Sequence, residues 1–190
     1  MNPDFSQPPE QIQGPNRKKK PFWGLPGCLL GLILVAVLYA ILMPVFAKSR
    51  SASTRTQTIH NMKQVGTGFM LYVSENDGRF PSADSWQDDV YPFVKNREIF
   101  SSPLKSSDGI KTTVAMNSGL SNVSEAEVAE PSKTVLTFLS TQTRPSPRGG
   151  KESMAVLKES RTLLGFADTS VIMKTVDEAK GFIWNPVTKK

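Results

Sequence analysis

The chain contains one histidine, His60, and one cysteine, Cys28, among 190 residues. A single thiol excludes an intramolecular disulfide, even in a compartment that would form one. A single imidazole with no cysteine nearby supplies no zinc-type ligand set, and no nucleophile, base and acid assemble around it. Serine and lysine are abundant, but nothing singles out one pair of them. Glu75, Asn76, Asp77 and Asp84 offer oxygens to a hard cation, yet their spacing is not that of a helix–loop–helix calcium loop, and a helix stop accounts for them. The largest absence is of charge: the 27 residues from Pro21 to Ala47 carry none. These gaps lead us to expect no catalytic residues, no cofactor, no metal and no small-molecule substrate.

The uncharged run is aliphatic. Leu29, Leu30, Leu32, Ile33, Leu34, Val35, Val37, Leu38, Ile41 and Leu42 precede Pro44, and Arg17-Lys18-Lys19-Lys20 stand before it. About 20 apolar residues at 1.5 Å each cross a hydrocarbon core of about 30 Å, and only a helix does so as a single segment. We therefore expect a transmembrane helix over 21–47. A cleaved secretory signal has a shorter apolar region of about 7–15 residues that ends at a small-x-small site. A lipoprotein signal places its cysteine after the apolar stretch, whereas Cys28 precedes it. Four basic residues directly before the run, against the more dispersed Lys48, Arg50 and Arg55 after it, orient the N-terminus to the cytoplasm. The expected location is the inner (cytoplasmic) membrane, single-pass, with the C-terminal domain periplasmic or extracellular. Gly27 and Gly31 have the small-xxx-small spacing of a helix-dimer face.

Residues 1–20 read as a disordered cytoplasmic tail, rich in Pro, Gln and Asn near its start. Residues 48–190 suffice for one exported domain. Four of the 23 basic and two of the 17 acidic residues lie in the first twenty, leaving a net charge of +4 for 48–190. That charge is weak and scattered, so no nucleic-acid partner is expected.

Beyond residue 48 the helix should continue to about residue 75. Residues 48–58 are polar but lack Pro and Gly. Ile59, Met62, Val65, Phe69, Tyr72 and Val73 then recur in steps of three and four, one apolar face suited to packing on a sheet. Pro44 should kink the rod, and Gly78 should end it in a left-handed turn. The runs 112–116, 134–139, 161–167 and 171–176 read as strands, with 162–167 and 171–176 as the best hairpin. Residues 78–111 should form short helical turns whose aromatic rings fill the gap between helix and sheet. Arg144 to Gly150 reads as a mobile loop.

These residues carry a resemblance. Residues 41–50, ILMPVFAKSR, are similar to the ILFPVFAxAR segment of many bacterial prepilin-like proteins. Residues 59–72, IHNMKQVGTGFMLY, resemble their CLSNLKQIGLAxxxY helix, and Asp77-Gly78-Arg79-Phe80-Pro81 and Trp86 follow at the usual distance. Residues 91–103 resemble the PYVKNxxIFxCP segment, and Gly165-Phe166-Ala167-Asp168 is similar to the FADGHV hairpin. The chain thus resembles the type IV pilin and type II secretion pseudopilin group. The resemblance implies an α+β, pilin-like fold, in which a long N-terminal α-helix with a transmembrane first half packs on a small antiparallel β-sheet. It implies a membrane-anchored structural subunit whose partners are the membrane and other pilin-like subunits or secretion-machine proteins. The family's Gly-Phe-Thr-Leu-Ile-Glu start is missing: residues 22–29 read FWGLPGCL, with no acid. That departure keeps open an alternative, a single-pass anchored interaction module that does not join a filament.

Overall fold

The computed structural model describes residues 25–186, apart from the side chains of residues 25, 26, 28 and 44–50. The expected tail over 1–20, the head of the uncharged run and the side chains of Cys28 and Pro44 lie outside the described residues. The chain divides into two compact units, Met1–Ala47 and Lys48–Lys190. Helix α1, Leu25–Glu75, is 51 residues long.

In the first unit, the large side chains of α1 from Leu29 to Met43 are all exposed, from 44% at Leu42 to 70% at Leu30. The expectation of a transmembrane first half is corrected here: among the described residues, no helix is long and apolar enough to cross a membrane. The aliphatic side chains described there run from Leu29 to Met43, 15 residues, or about 22 Å at 1.5 Å each, against about 30 Å of hydrocarbon.

In the second unit, α1 is helical through its polar stretch. Thr58 Oγ1 donates to Thr54 O at 2.9 Å and Thr67 Oγ1 to Lys63 O at 3.0 Å, so these hydroxyls bond back into the helix instead of competing with it. The core face then begins. Met62, Val65, Phe69 and Val73 are fully buried, and Ile59 and Tyr72 pack at the margin of the same cluster. The helix stops where Gly78 N–H reaches back to Val73 O at 3.0 Å, with Asp77 (φ 51°) and Gly78 (φ 69°) both left-handed.

The sheet has six strands: β1 Ser101–Lys105, β2 Lys111–Asn117, β3 Val135–Ser140, β4 Arg148–Gly149, β5 Arg161–Phe166 and β6 Val171–Thr175. The order is β1-β2-β3-β5-β6 with antiparallel neighbours, and β4 joins β2 in parallel. The architecture is α+β, but the sheet is larger than the small antiparallel one expected and not wholly antiparallel. The 162–167 and 171–176 hairpin is present, with Leu163 opposite Met173 and Gly165 opposite Val171. β1 and β4 are unanticipated: β1 contains Pro103 and reads as a loop, and β4 owes its pairing to distant β2.

Helix α1 covers one face of the sheet, where Val114, Met116, Leu136 and Leu163 point. The other face, with Ala115, Phe138, Leu164 and Phe166, is covered by helix α3 (Val176–Lys180) and the segment after it, chiefly Phe182 and Trp184. Phe138 and Trp184 meet edge to face at 5.3 Å, and Phe166 and Phe182 at 5.0 Å.

The stretch 78–111 contains α2, Trp86–Val94, and a 3-10 turn, Arg97–Phe100. Its rings fill the core as expected: Trp86 stacks on Phe69 at 5.3 Å and meets the edge of Phe100 at 5.3 Å. The mobile loop expected over 144–150 is corrected. Pro147 O accepts from Trp86 Nε1 and from Met116 N, both at 2.9 Å; Ser146 is buried; and Arg148 pairs with Asp84. Pro and Gly set the shape of this segment, while long-range hydrogen bonds hold it.

Candidate functional site

The residues singled out as anchor and those singled out as packing face lie on one helix but in different units. The anchor residues Leu29 to Leu42 have water-facing side chains all round α1, with no polar stripe. A helix apolar on every side needs cover from lipid or protein. Gly27 and Gly31 lie on the same exposed stretch, and a Cβ at Gly31 would meet nothing within 4 Å. The six packing residues instead form the inner face of the second unit and are structural.

The second unit carries a groove of about 560 Å³ beside β1 and β2. Gln57 and Asn61, one turn apart on α1, line one side. Ser101, Pro103 and Lys105 alternate along β1, and Lys111 and Thr113 stand on β2. The floor is tied down: Thr58 and Ser102 share a buried hydroxyl–hydroxyl bond of 3.1 Å, and Thr113 Oγ1 donates to Gln142 O at 3.0 Å. Asn96 Oδ1 accepts from Glu98 N at 2.9 Å, and Ser101 Oγ donates to Glu98 O at 2.8 Å, so the Glu98 end is a closed turn. The open end is Lys105 and Lys111, which face each other across the two strands. The sequence offered one signal for them, lysines flanking Ser-Ser-Asp-Gly-Ile, a turn that joins two strands.

A second hollow, about 270 Å³, lies beside Asn117, Gly119, Gly149, Gly150 and Trp184. Its key residue is structural. Asn117 is buried; its Nδ2 donates to Val135 O and Trp184 O, both at 2.7 Å, and its Oδ1 accepts from Gly119 N at 3.0 Å. The bond to Trp184 O holds the C-terminal segment against the sheet.

Proton-active groups do not converge. Burial first, then nearby Asp89, raises the Tyr72 phenol above its ordinary value. Hydrogen bonding to Glu130 raises Lys133. Hydrogen bonds from the Thr175 backbone and side chain, and then from Lys174, lower Glu178. Tyr72 is on α1, Lys133 precedes β3 and Glu178 is on α3. His60 is exposed on α1. Glu75, Asn76 and Asp77 form the helix stop, where Asn76 Nδ2 donates to Tyr72 O at 2.8 Å, and Asp84 instead pairs with Arg148. Among the described residues, no group of three or more His, Cys, Asp and Glu side chains is placed to hold a metal ion. Asp168 takes a turn role: its Oδ1 accepts from Ser170 N at 2.9 Å and Ser170 Oγ at 2.6 Å. The arrangement offers surfaces, apolar on α1 and polar at the groove. No protein-family model, curated protein or solved structure matches the chain.

Proposed function

We propose that the chain is a non-enzymatic structural subunit of a bacterial envelope assembly, held at a membrane through its apolar N-terminal segment, of the kind its sequence resemblance to pseudopilins implies. The observation that carries this reading is the continuous exposure of the aliphatic side chains from Leu29 to Met43. Fully burying one such side chain contributes about 1.5–3 kcal/mol, so leaving this many in water is strongly unfavourable, and a lipid or protein cover removes that penalty. The 48–190 unit supports the same reading, since among the described residues only Thr162 Oγ1 is a buried side-chain polar atom without a hydrogen-bond partner.

The test is extraction of membranes from cells expressing the full chain. The chain should stay with the membrane in alkaline carbonate or high salt and move to the soluble fraction in detergent. Replacing Ile33, Val37 and Ile41 together with lysine should release it. Release of the unaltered chain by carbonate would end the proposal.

A second reading is favoured by one observation, the lack of any acidic residue between Pro21 and Ala47. In that reading the chain is an anchored interaction module outside any filament. Cross-linking in intact cells separates the two: ladders of like subunits support the first, and one discrete partner supports the second.

A further inference from the structure

Aspartate followed by glycine is a chemically unstable pair. The glycine nitrogen has no Cβ beside it, so it reaches the aspartate Cγ more readily than the nitrogen of a larger residue does. The chain has two such pairs, Asp77-Gly78 and Asp108-Gly109. In an unfolded chain the two are equivalent. The fold makes them unequal.

Asp77-Gly78 is locked into the stop of α1. Gly78 N–H donates to Val73 O at 3.0 Å, Gly78 O accepts from Glu125 N at 2.7 Å, and Arg79 N–H donates to Asn76 O at 3.0 Å. Two residues on, Phe80 is buried and its N–H donates to Val123 O at 2.9 Å. Freeing Gly78 N therefore disturbs the last turn of α1, whose Val73 belongs to the core. Asp108-Gly109 lies instead at the tip of the β1–β2 hairpin, where residues 107–110 are all exposed. Gly109 N–H donates to Ser106 O and Ser106 N–H to Ile110 O, both at 2.9 Å and both within the same five residues. Among the described residues, the one hydrogen bond from 106–110 to a distant part of the chain is Ser107 N–H to Val156 O at 2.7 Å. It does not hold Gly109. Ile110 belongs to neither apolar cluster. Opening of this tip breaks local bonds alone, and openings of that kind cost least.

We propose that Asp108 is a site of spontaneous isomerisation to isoaspartate, from which the fold protects Asp77. Gly109 N attacks Asp108 Cγ. An N–Cγ bond forms, a Cγ–O bond breaks, and the carboxyl oxygen leaves as water with the amide proton, closing a five-membered succinimide. Water then adds to either ring carbonyl. Addition at Cγ restores aspartate. Addition at the main-chain carbonyl carbon breaks its bond to Gly109 N and leaves the main chain running through Cβ and Cγ. One water leaves and one returns, so mass and oxidation state are unchanged. The product has one more main-chain atom at the tip, and its carboxylate sits on Cα. Asp108 stands between Lys105 and Lys111, so the change moves the acid that separates the two groove lysines.

The full chain is held in detergent in heavy-oxygen water at neutral pH, and samples taken over time are digested in ordinary water. Each succinimide takes up one solvent oxygen whichever way it opens, and electron-transfer fragmentation distinguishes isoaspartate from aspartate of equal mass. The Asp108 peptide should take up solvent oxygen at least about tenfold faster than the Asp77 peptide, equivalent to about 1.4 kcal/mol less opening free energy. In denaturant the two rates should converge. Asp108→Glu should abolish uptake in its peptide, because the longer side chain closes a six-membered ring far more slowly. It should keep the parent's thermal melt, because the side chain is exposed. Equal rates in the folded chain, or faster uptake at Asp77, overturn the proposal. An Asp108 peptide that takes up oxygen in denaturant but not in the folded chain overturns it as well.

Discussion

Gly66 and Gly68 lie two residues apart on α1, both buried, and obey different constraints. A Cβ at Gly68 would come within 2.5 Å of Val94 Cγ1 and 2.8 Å of Val90 Cγ1, two β-branched side chains on α2 with little rotamer freedom. At Gly66 the nearest atoms, on Thr169, would be 3.5 Å away, an ordinary contact. Alanine is favoured over glycine inside a helix by about 1 kcal/mol, whereas overpacking a tight contact costs about 1–3 kcal/mol. Gly66→Ala should therefore stabilise the fold by about 0.5–1 kcal/mol, and Gly68→Ala should destabilise it by up to about 2 kcal/mol net. Denaturant melts of the two variants rank them directly, and a Gly68→Ala protein at least as stable as Gly66→Ala would refute the packing argument. The steps of three and four from Ile59 to Val73 were legible in the chain, so the inner face of α1 was readable. That α2 crosses over Gly68, and not Gly66, depends on Val90 and Val94, 22 and 26 residues away, and leaves no local signature. Asn117 was unreadable for the same reason: an asparagine after a strand looks like a turn residue until its three partners are in place.

Elements whose stability is local were readable, and elements made by pairing were not. The β5–β6 hairpin announces itself through two apolar runs around Asp168-Thr169-Ser170, and the stop of α1 through Asp77-Gly78. β1 contains Pro103 and ends in Lys105, so its pattern resembles a loop; it becomes a strand because β2 lies beside it. β4 is two residues long and exists because Pro147 O is bound by Trp86 and Met116. Helix α3 was hidden because Val176 looks like the end of β6. Its start is nevertheless a reciprocal cap. Thr175 Oγ1 accepts from Glu178 N at 3.3 Å, and the Glu178 carboxylate accepts from Thr175 N at 3.1 Å. Those bonds favour the charged form, so the carboxyl of Glu178 lies below its ordinary value of 4.5 in the folded chain. A lowered folded-state value means the contribution is present above the unfolded value and is lost as pH falls through the folded one. Acidification below 4.5 should loosen α3 and with it the cover over Phe138 and Phe166. Tryptophan fluorescence of Trp184 should report that loosening, and Glu178→Gln should remove the part of the pH dependence that belongs to this cap. An unchanged acid transition in Glu178→Gln would assign it to other carboxylates.

At the scale of the whole molecule, the two apolar clusters that hold the sheet are built entirely from residues between Ile59 and Trp184. Among the described residues, none of their members lies in the Met1–Ala47 unit. A chain of 143 residues buries about two thirds of its unfolded surface when it folds, enough for a domain that stands alone. Removing residues 1–47 also removes the exposed aliphatic run from Leu29 to Met43, the largest apolar surface on the described chain. The excised 48–190 piece should therefore be soluble without detergent and unfold in one cooperative transition, while the full chain needs detergent or lipid to stay in solution. Gel filtration with light scattering, followed by a thermal scan, checks solubility, size and cooperativity on one sample. An insoluble or non-cooperative 48–190 piece would mean that the N-terminal run contributes to the fold itself as well as to where the fold is held.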